Sequence, residues 1–307
     1  MHLPDGVLSP AVWIAAAGAS GASLALALRE TRSATRGIAR SPGETGSPAG
    51  IGTTATLAAF VFAAQSFQIP IPGGASAHLL GGSLLTAALG PARAVCAMAS
   101  VFAVQALAFH DGGIAALGAN LWNGGIVPSA VTSAMIAFMP PRSTSRMRAL
   151  MAGGGAVLGV FLGSLFCAFE IGLSGAAALP VALAAIAGIH LWVALVEGVL
   201  TAALVGALFG ARQFTADPGA GRGSARLSLP ILVASAALAT AIAASQFSAG
   251  SPDGLERASA QLGISATAPE PEREELGGAV PTLAGASLAA VALAIGIAWR
   301  RPASSAP

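Results

Sequence analysis

The sequence contains no lysine; all of its fifteen basic residues are arginines. That absence excludes a phosphate-loop lysine, a Schiff-base lysine and a lysine general base, so the chain cannot itself be a Walker-type ATPase. Charge of either sign is scarce, at 9% of residues, beside 55% hydrophobic residues and a mean hydropathy of +0.76. Soluble domains run near roughly one quarter charged, so a soluble fold is excluded as well. There are two cysteines, Cys96 and Cys167, both in apolar runs where an uncharged buried thiol is the default. No His-Glu-x-x-His signature and no convincing serine elbow is present, and the chain is not expected to be an enzyme. Nor is a nucleic-acid partner expected.

What is there is a succession of apolar stretches. A spanning helix needs roughly 20 mainly apolar residues, and the runs at 8–29, 53–69, 78–89, 91–109, 114–139, 148–174, 182–210, 228–247 and 281–299 predict an all-α, polytopic membrane helix bundle. Arginines follow the first run at Arg29, Arg32, Arg36 and Arg40, the reverse of a signal peptide. The short N-terminus is therefore expected outside and the arginines in the cytoplasm. Carried through the chain, this arrangement puts every arginine inside except Arg257 and Arg273, and the C-terminus inside. Two prolines and two glycines in residues 68–78 forbid a regular helix and mark an irregular loop that delivers His78 to a helix start. The run at 78–89, broken by Gly90-Pro91, is too short to span, and interrupted helices often mark transporter binding sites.

The chain starts Met1-His2-Leu3-Pro4-Asp5-Gly6. A bulky second residue keeps the initiator methionine in place. The Met1 amine, the His2 amide nitrogen and the His2 imidazole then form one five-membered and one six-membered chelate ring. Tetragonal nitrogen coordination of this kind favours Ni(II) or Cu(II), and one more histidine would complete a plane of four. The predicted topology puts His2, His78 and His110 all at the outer face.

Together, Met1-His2-Leu3-Pro4-Asp5-Gly6, Pro72-Gly73-Gly74-Ala75-Ser76-Ala77-His78-Leu79-Leu80-Gly81-Gly82, Asp111-Gly112-Gly113-Ile114 and Leu117-Gly118-Ala119-Asn120 resemble the NikM/CbiM substrate-binding component of energy-coupling factor transporters for nickel and cobalt. The likeness covers residues 1–211. After a cytoplasmic linker at 212–227, residues 228–301 resemble a fused NikN-type module of two helices, named PDGLE after a motif that stands here as Pro252-Asp253-Gly254-Leu255-Glu256. The core is then about seven helices. The resemblance implies an ATP-driven importer of Ni(II) or Co(II), with Met1, His2 and His78 as ligands. A separate transmembrane coupling protein and separate ATPase subunits would act in a bacterial or archaeal plasma membrane. Pro4-Asp5 stands where cobalt-type members tend to have Met-Glu, which favours nickel. A cobalt-specific member, or a stand-alone cation channel or secondary carrier, are the alternatives; a carrier would transport without partners.

Asp5, His110, Asp111, Asn120, Asn123, His190 and Glu197 are the further candidates. Asn120 and Asn123 are expected to brace the metal loops. His190 and Glu197, seven apart, share one helix face and would pair with each other, bind the coupling protein or relay metal. Glu170 reads as interfacial. The acidic segment 252–275 is expected at the outer surface, assisting delivery without forming the final site. The glycines at 153–155, 159 and 163 read as close helix packing.

Overall fold

The computed structural model describes residues 2–38, 51–140, 143–215 and 252–264. Met1, the linker from residue 216, both expected spans of the C-terminal module and the acids at 270–275 lie outside the described residues. The helices are α1 (Pro10–Ile38), α2 (Ile51–Gln65), α3 (Gly82–Leu89), α4 (Pro91–Ala108), α5 (Leu117–Leu121), α6 (Val127–Ala137), α7 (Ser145–Leu173), α8 (Leu179–Thr215) and α9 (Gly254–Leu262). A π-helical turn at Trp122–Ile126 joins α5 to α6 without a break. A hairpin of β1 (Ile69–Ile71) and β2 (Ala75–Ala77) lies between α2 and α3. The fold is thus the all-α membrane bundle that composition demands.

Four of these helices carry stretches long and apolar enough to cross a membrane, Pro10–Ser33, Pro91–Ala108, Ser145–Leu173 and Leu179–Leu208. The continuous run α5 to α6 rises about 31 Å at about 1.5 Å per residue and would also span. The eight residues of α3 rise about 12 Å, too little to cross. This is the half-helix that the Gly90-Pro91 break predicts. Gly90 turns the chain with φ of 84°, and Pro91, whose missing N–H costs nothing at a helix start, opens α4.

Close helix approach depends on glycine. A Cβ on Gly153 would sit 2.8 Å from the Gly198 carbonyl oxygen, and one on Gly159 2.7 Å from Pro128 Cα. On α7, Gly163 lies against the Asn123 backbone carbonyl. These contacts seat α7 on α8 and on the π turn and α6, the packing role expected of that glycine run.

One expectation is modified. Residues 68–78 form an ordered hairpin rather than an irregular loop, with Ile69 opposite Ala77 and Ile71 opposite Ala75. Gly73 and Gly74, with φ of 93° and 70°, make the tight turn after Pro72. The next helix starts at Gly82, so His78 lies in extended chain rather than at a helix start. At this end of the bundle, Leu3, Leu80 and Leu255 are all buried in one apolar cluster with Ile186 and Ile189 of α8. Three segments remote in sequence are thereby brought together.

Candidate metal centre

The N-terminal segment has no helix or sheet to hold it, so its backbone groups are satisfied by side chains. Asn120 pairs with Leu3 on both sides: its Oδ1 accepts from the Leu3 N–H at 2.8 Å and its Nδ2 donates to the Leu3 carbonyl at 3.1 Å. The Gly113 N–H also donates to the Leu3 carbonyl, at 2.8 Å. Asp5 accepts from the N–H groups of Ile114, Ala115 and Ala116 at 2.9 to 3.2 Å, so its carboxylate holds the turn that leads into α5. A side chain on Gly113 would collide with Asp5. The Asp-Gly-Gly motif is the floor on which the chain terminus rests.

The segment carrying His78 is held from within the bundle. Glu197 of α8, fully buried, accepts from the Leu80 N–H at 2.7 Å and the Gly81 N–H at 3.0 Å. Gln65, at the end of α2, donates to the Leu80 carbonyl at 2.8 Å. His78 Nδ1 lies 3.2 Å from the Leu79 carbonyl oxygen. A carbonyl can only accept, so that nitrogen carries the proton and Nε2 keeps its lone pair for a metal.

The two segments meet with a third. His2 and His78 stack with ring centroids 5.8 Å apart and 11° between planes. Beside them stands Asp253, and the candidate ligand atoms of His2, His78 and Asp253 all lie within 4.8 Å of one another. Asp253 is placed by the PDGLE motif itself. The Pro252 carbonyl accepts from the Ser76 N–H at 2.8 Å, pairing the motif beside β2, and Arg257 Nε donates to the Gly73 carbonyl. Asp253 and Glu256 also form a reciprocal capping box at the start of α9.

Burial makes the imidazoles poor bases: desolvation pulls His2 down to about 3 and His78 down to about 4. Burial alone would raise the Asp253 carboxyl, but surrounding positive charge and the Glu256 N–H bring it to about 2. At neutral pH the cluster therefore offers two neutral nitrogens and one carboxylate, all free of protons and ready for a divalent ion.

The other candidates divide. Asp111 lies 3.5 Å from His2 Nδ1 and Asn120 braces the terminus, so both border the cluster. His110 is exposed, with φ of 54°, and is not among the three converging residues. Asn123 donates instead to Glu170 of α7 at 2.6 Å, and Glu170 is buried rather than interfacial. His190 and Glu197 do not pair with each other: His190 Nδ1 lies 2.9 Å from the Ile186 carbonyl oxygen one turn back, and Glu197 turns to the His78 segment. His190 sits beneath Gly254 of the PDGLE motif, close enough that a Cβ there would lie 3.6 Å from its ring. Asp253 was not among the expected ligands, and Met1 lies outside the described residues.

Residues 2–214 match the family described as the cobalt uptake substrate-specific transmembrane region, CbiM. The chain belongs to this family. It is 36% identical over 214 residues to a NikMN-type relative from Archaeoglobus fulgidus, covering 68% of this chain and 69% of that one. To the fused nickel transport protein NikMN of Rhodobacter capsulatus it is 33% identical over 175 residues, 56% of this chain and 47% of that one. The crystal structure of a truncated transition metal transporter superposes with a TM-score of 0.57 at 29% identity, covering 68% of this chain and 99% of the other. This CbiM-family chain is accordingly a multi-pass membrane component of nickel or cobalt transport, with the metal ion as its transported substrate.

Proposed function

We propose that this chain is the substrate-binding subunit of an energy-coupling factor importer, and that it captures Ni(II) at the cluster of His2, His78 and Asp253. The observation that carries the reading is the convergence of two histidines and a carboxylate from segments 76 and 175 residues apart, within 4.8 Å. Nothing in the packing of an apolar bundle requires three such groups to be brought together.

The Met1 amine and the His2 amide nitrogen supply the remaining donors, which with the His2 and His78 imidazoles make four nitrogens. A nitrogen-dominated set matches Ni(II) better than hard, oxygen-seeking cations. Pro4-Asp5 and the nickel named in the NikMN relatives favour nickel over cobalt. The amino terminus and the cluster lie outside the cell and the C-terminus in the cytoplasm, a reading that the arginine distribution supports. We assign residues 228–301 to a second module, whose PDGLE motif places Asp253, after the core domain 1–211 and the linker 212–227, whose first four residues still belong to α8. A transmembrane coupling protein and a pair of ATPase subunits, carried on other chains, supply movement and energy.

Titrating Ni(II) into the purified full chain, with and without one extra residue before Met1, tests the chelate. The extension turns the amine into a peptide nitrogen while removing almost no apolar burial. Tight, stoichiometric binding by the native chain and its loss in the extended one is the expected result; equal binding by both would remove the chain end from the site.

A further inference from the structure

His2 has two ring nitrogens, and a metal chelate closed through its own amide nitrogen can use only Nδ1. The proton must then sit on Nε2, which is buried and among the described side-chain atoms left without a hydrogen-bond partner. A second buried atom in the same condition is Oε1 of Gln105. The two belong together. Phe102, one turn before Gln105 on α4, packs edge-on against the His2 ring with centroids 5.4 Å apart, so that face of α4 is the wall behind His2. Gln105 stands near enough to the ring to raise its proton affinity, as an acceptor facing it does.

We infer that Gln105 and Gln65 form an amide relay that fixes the tautomer of His2, holding the proton on Nε2 and leaving Nδ1 bare for Ni(II). The direction of the relay is set at its far end. The Leu80 carbonyl can only accept, so Gln65 must present its Nε2 there, at 2.8 Å. Its Oε1 is left to face Gln105, which must therefore present its own Nε2. Gln105 has only Oε1 remaining, and an oxygen without hydrogen accepts a bond from His2 Nε2–H and repels the lone pair of the other tautomer. Both glutamines are buried, at 6% and 4% exposed, so water does not scramble the sequence.

The opposing influence is Asp111, which would draw the proton to Nδ1. Its carboxylate is 3.5 Å from Nδ1, beyond a good hydrogen bond, and its side chain is half exposed to water. Gln105 faces the ring in a dry wall and prevails. The relay also ties the two histidine segments to one another, because Leu80 lies two residues beyond His78. Gln65 and Gln105 are thus positioning residues, and the role assigned to them rests on the proposed Ni(II) site.

The test uses the full chain with its native N-terminus and ¹⁵N-labelled histidine, the His2 signals being identified by their loss in His2→Ala. In the metal-free wild type, nitrogen NMR should show His2 protonated at Nε2 and bare at Nδ1. The Gln105→Met variant, similar in volume but without the acceptor, should show mixed tautomers and bind Ni(II) about 10–100-fold more weakly, the usual cost of losing an outer partner of a ligating histidine. A glutamine that only ties α4 to α2 would lower the melting temperature and leave both readouts unmoved. Wild-type His2 protonated at Nδ1 overturns the relay without need of any variant. So does a Gln105→Met protein with wild-type tautomer and affinity. A wild type that binds no Ni(II) overturns the metal site instead, and the relay's purpose with it.

Discussion

The segments that carry His2 and His78 are both irregular backbone, yet they are secured from opposite directions. The N-terminal segment is stitched at the outer rim, by Asn120 to Leu3 and by Asp5 to the start of α5, and the Asp5 bonds are exposed to water. The His78 segment is gripped from inside the bundle, by the wholly buried Glu197 and by Gln65. Buried bonds have no water to replace them when broken, and the exposed Asp5 bonds do. The inner grip should therefore govern whether the site exists, and the outer stitching how well its first ligand is placed. The largest expected effect removes a ligand outright. His78→Ala should weaken Ni(II) binding by more than the roughly 10–100-fold of outer-partner losses, with helix content unchanged by circular dichroism because His78 is not part of a helix. Unchanged metal retention would take His78 out of the site.

Breaking each grip separately sharpens the contrast. Glu197→Ala leaves the Leu80 and Gly81 N–H groups buried without partners, at roughly 1–3 kcal/mol each, so the purified protein should melt at markedly lower temperature and lose metal affinity together. Asn120→Ala orphans one buried donor and weakens one acceptor, and roughly 1–3 kcal/mol is expected, with affinity reduced about tenfold, as for an outer partner of a ligand. If Asn120→Ala, which orphans one buried donor, proved as damaging to thermal stability as Glu197→Ala, which orphans two, the greater weight given to the inner grip would fail. Asp253→Asn keeps the shape of the third corner and removes its charge. Calorimetry should register a further, smaller loss of affinity, since a carboxylate is a poorer match to Ni(II) than imidazole, and no loss of folding.

The same contrast explains what could be read from the chain beforehand. The helices were legible because twenty-residue apolar runs have no other use, and His2 and His78 because histidines are scarce and stand beside the chain end and a Pro-Gly-Gly turn. Glu197 was legible as a buried ionisable group, but its partner was not: helical spacing offered His190, one face along, whereas the carboxylate goes to two N–H groups of a segment 116 residues earlier. Gln65 ends the apolar helix α2 and Gln105 sits inside the apolar α4, neither with a local mark. Asp253 looked like one surface acid among several, because only the pairing of Pro252 with Ser76 turns it inward. The expected irregular loop at 68–78 became a hairpin for the same reason. Its pairing depends on a turn and a register that composition does not encode.

The smallest change is chemical rather than structural, and it decides which atoms bind the metal. A depressed imidazole value means that the unfolded chain takes up protons first as the pH falls. Stability contributed by neutral His2 and His78 is thus complete above about 6.5 and lost from there down toward 3 to 4. Within the folded site, however, none of His2, His78 and Asp253 titrates between pH 7 and 5. If those three were the whole donor set, the logarithm of the Ni(II) affinity should be nearly flat across that window. If the chain end also chelates, binding must displace a proton from an amine of ordinary value near 7.7 and another from the His2 amide, and affinity should fall by about two orders of magnitude per pH unit. Isothermal titrations at pH 7, 6 and 5 separate the two, and buffers of different ionisation enthalpy count the protons released. A flat profile in a chain that still binds tightly would leave the His2, His78 and Asp253 cluster standing and remove the amino terminus from it.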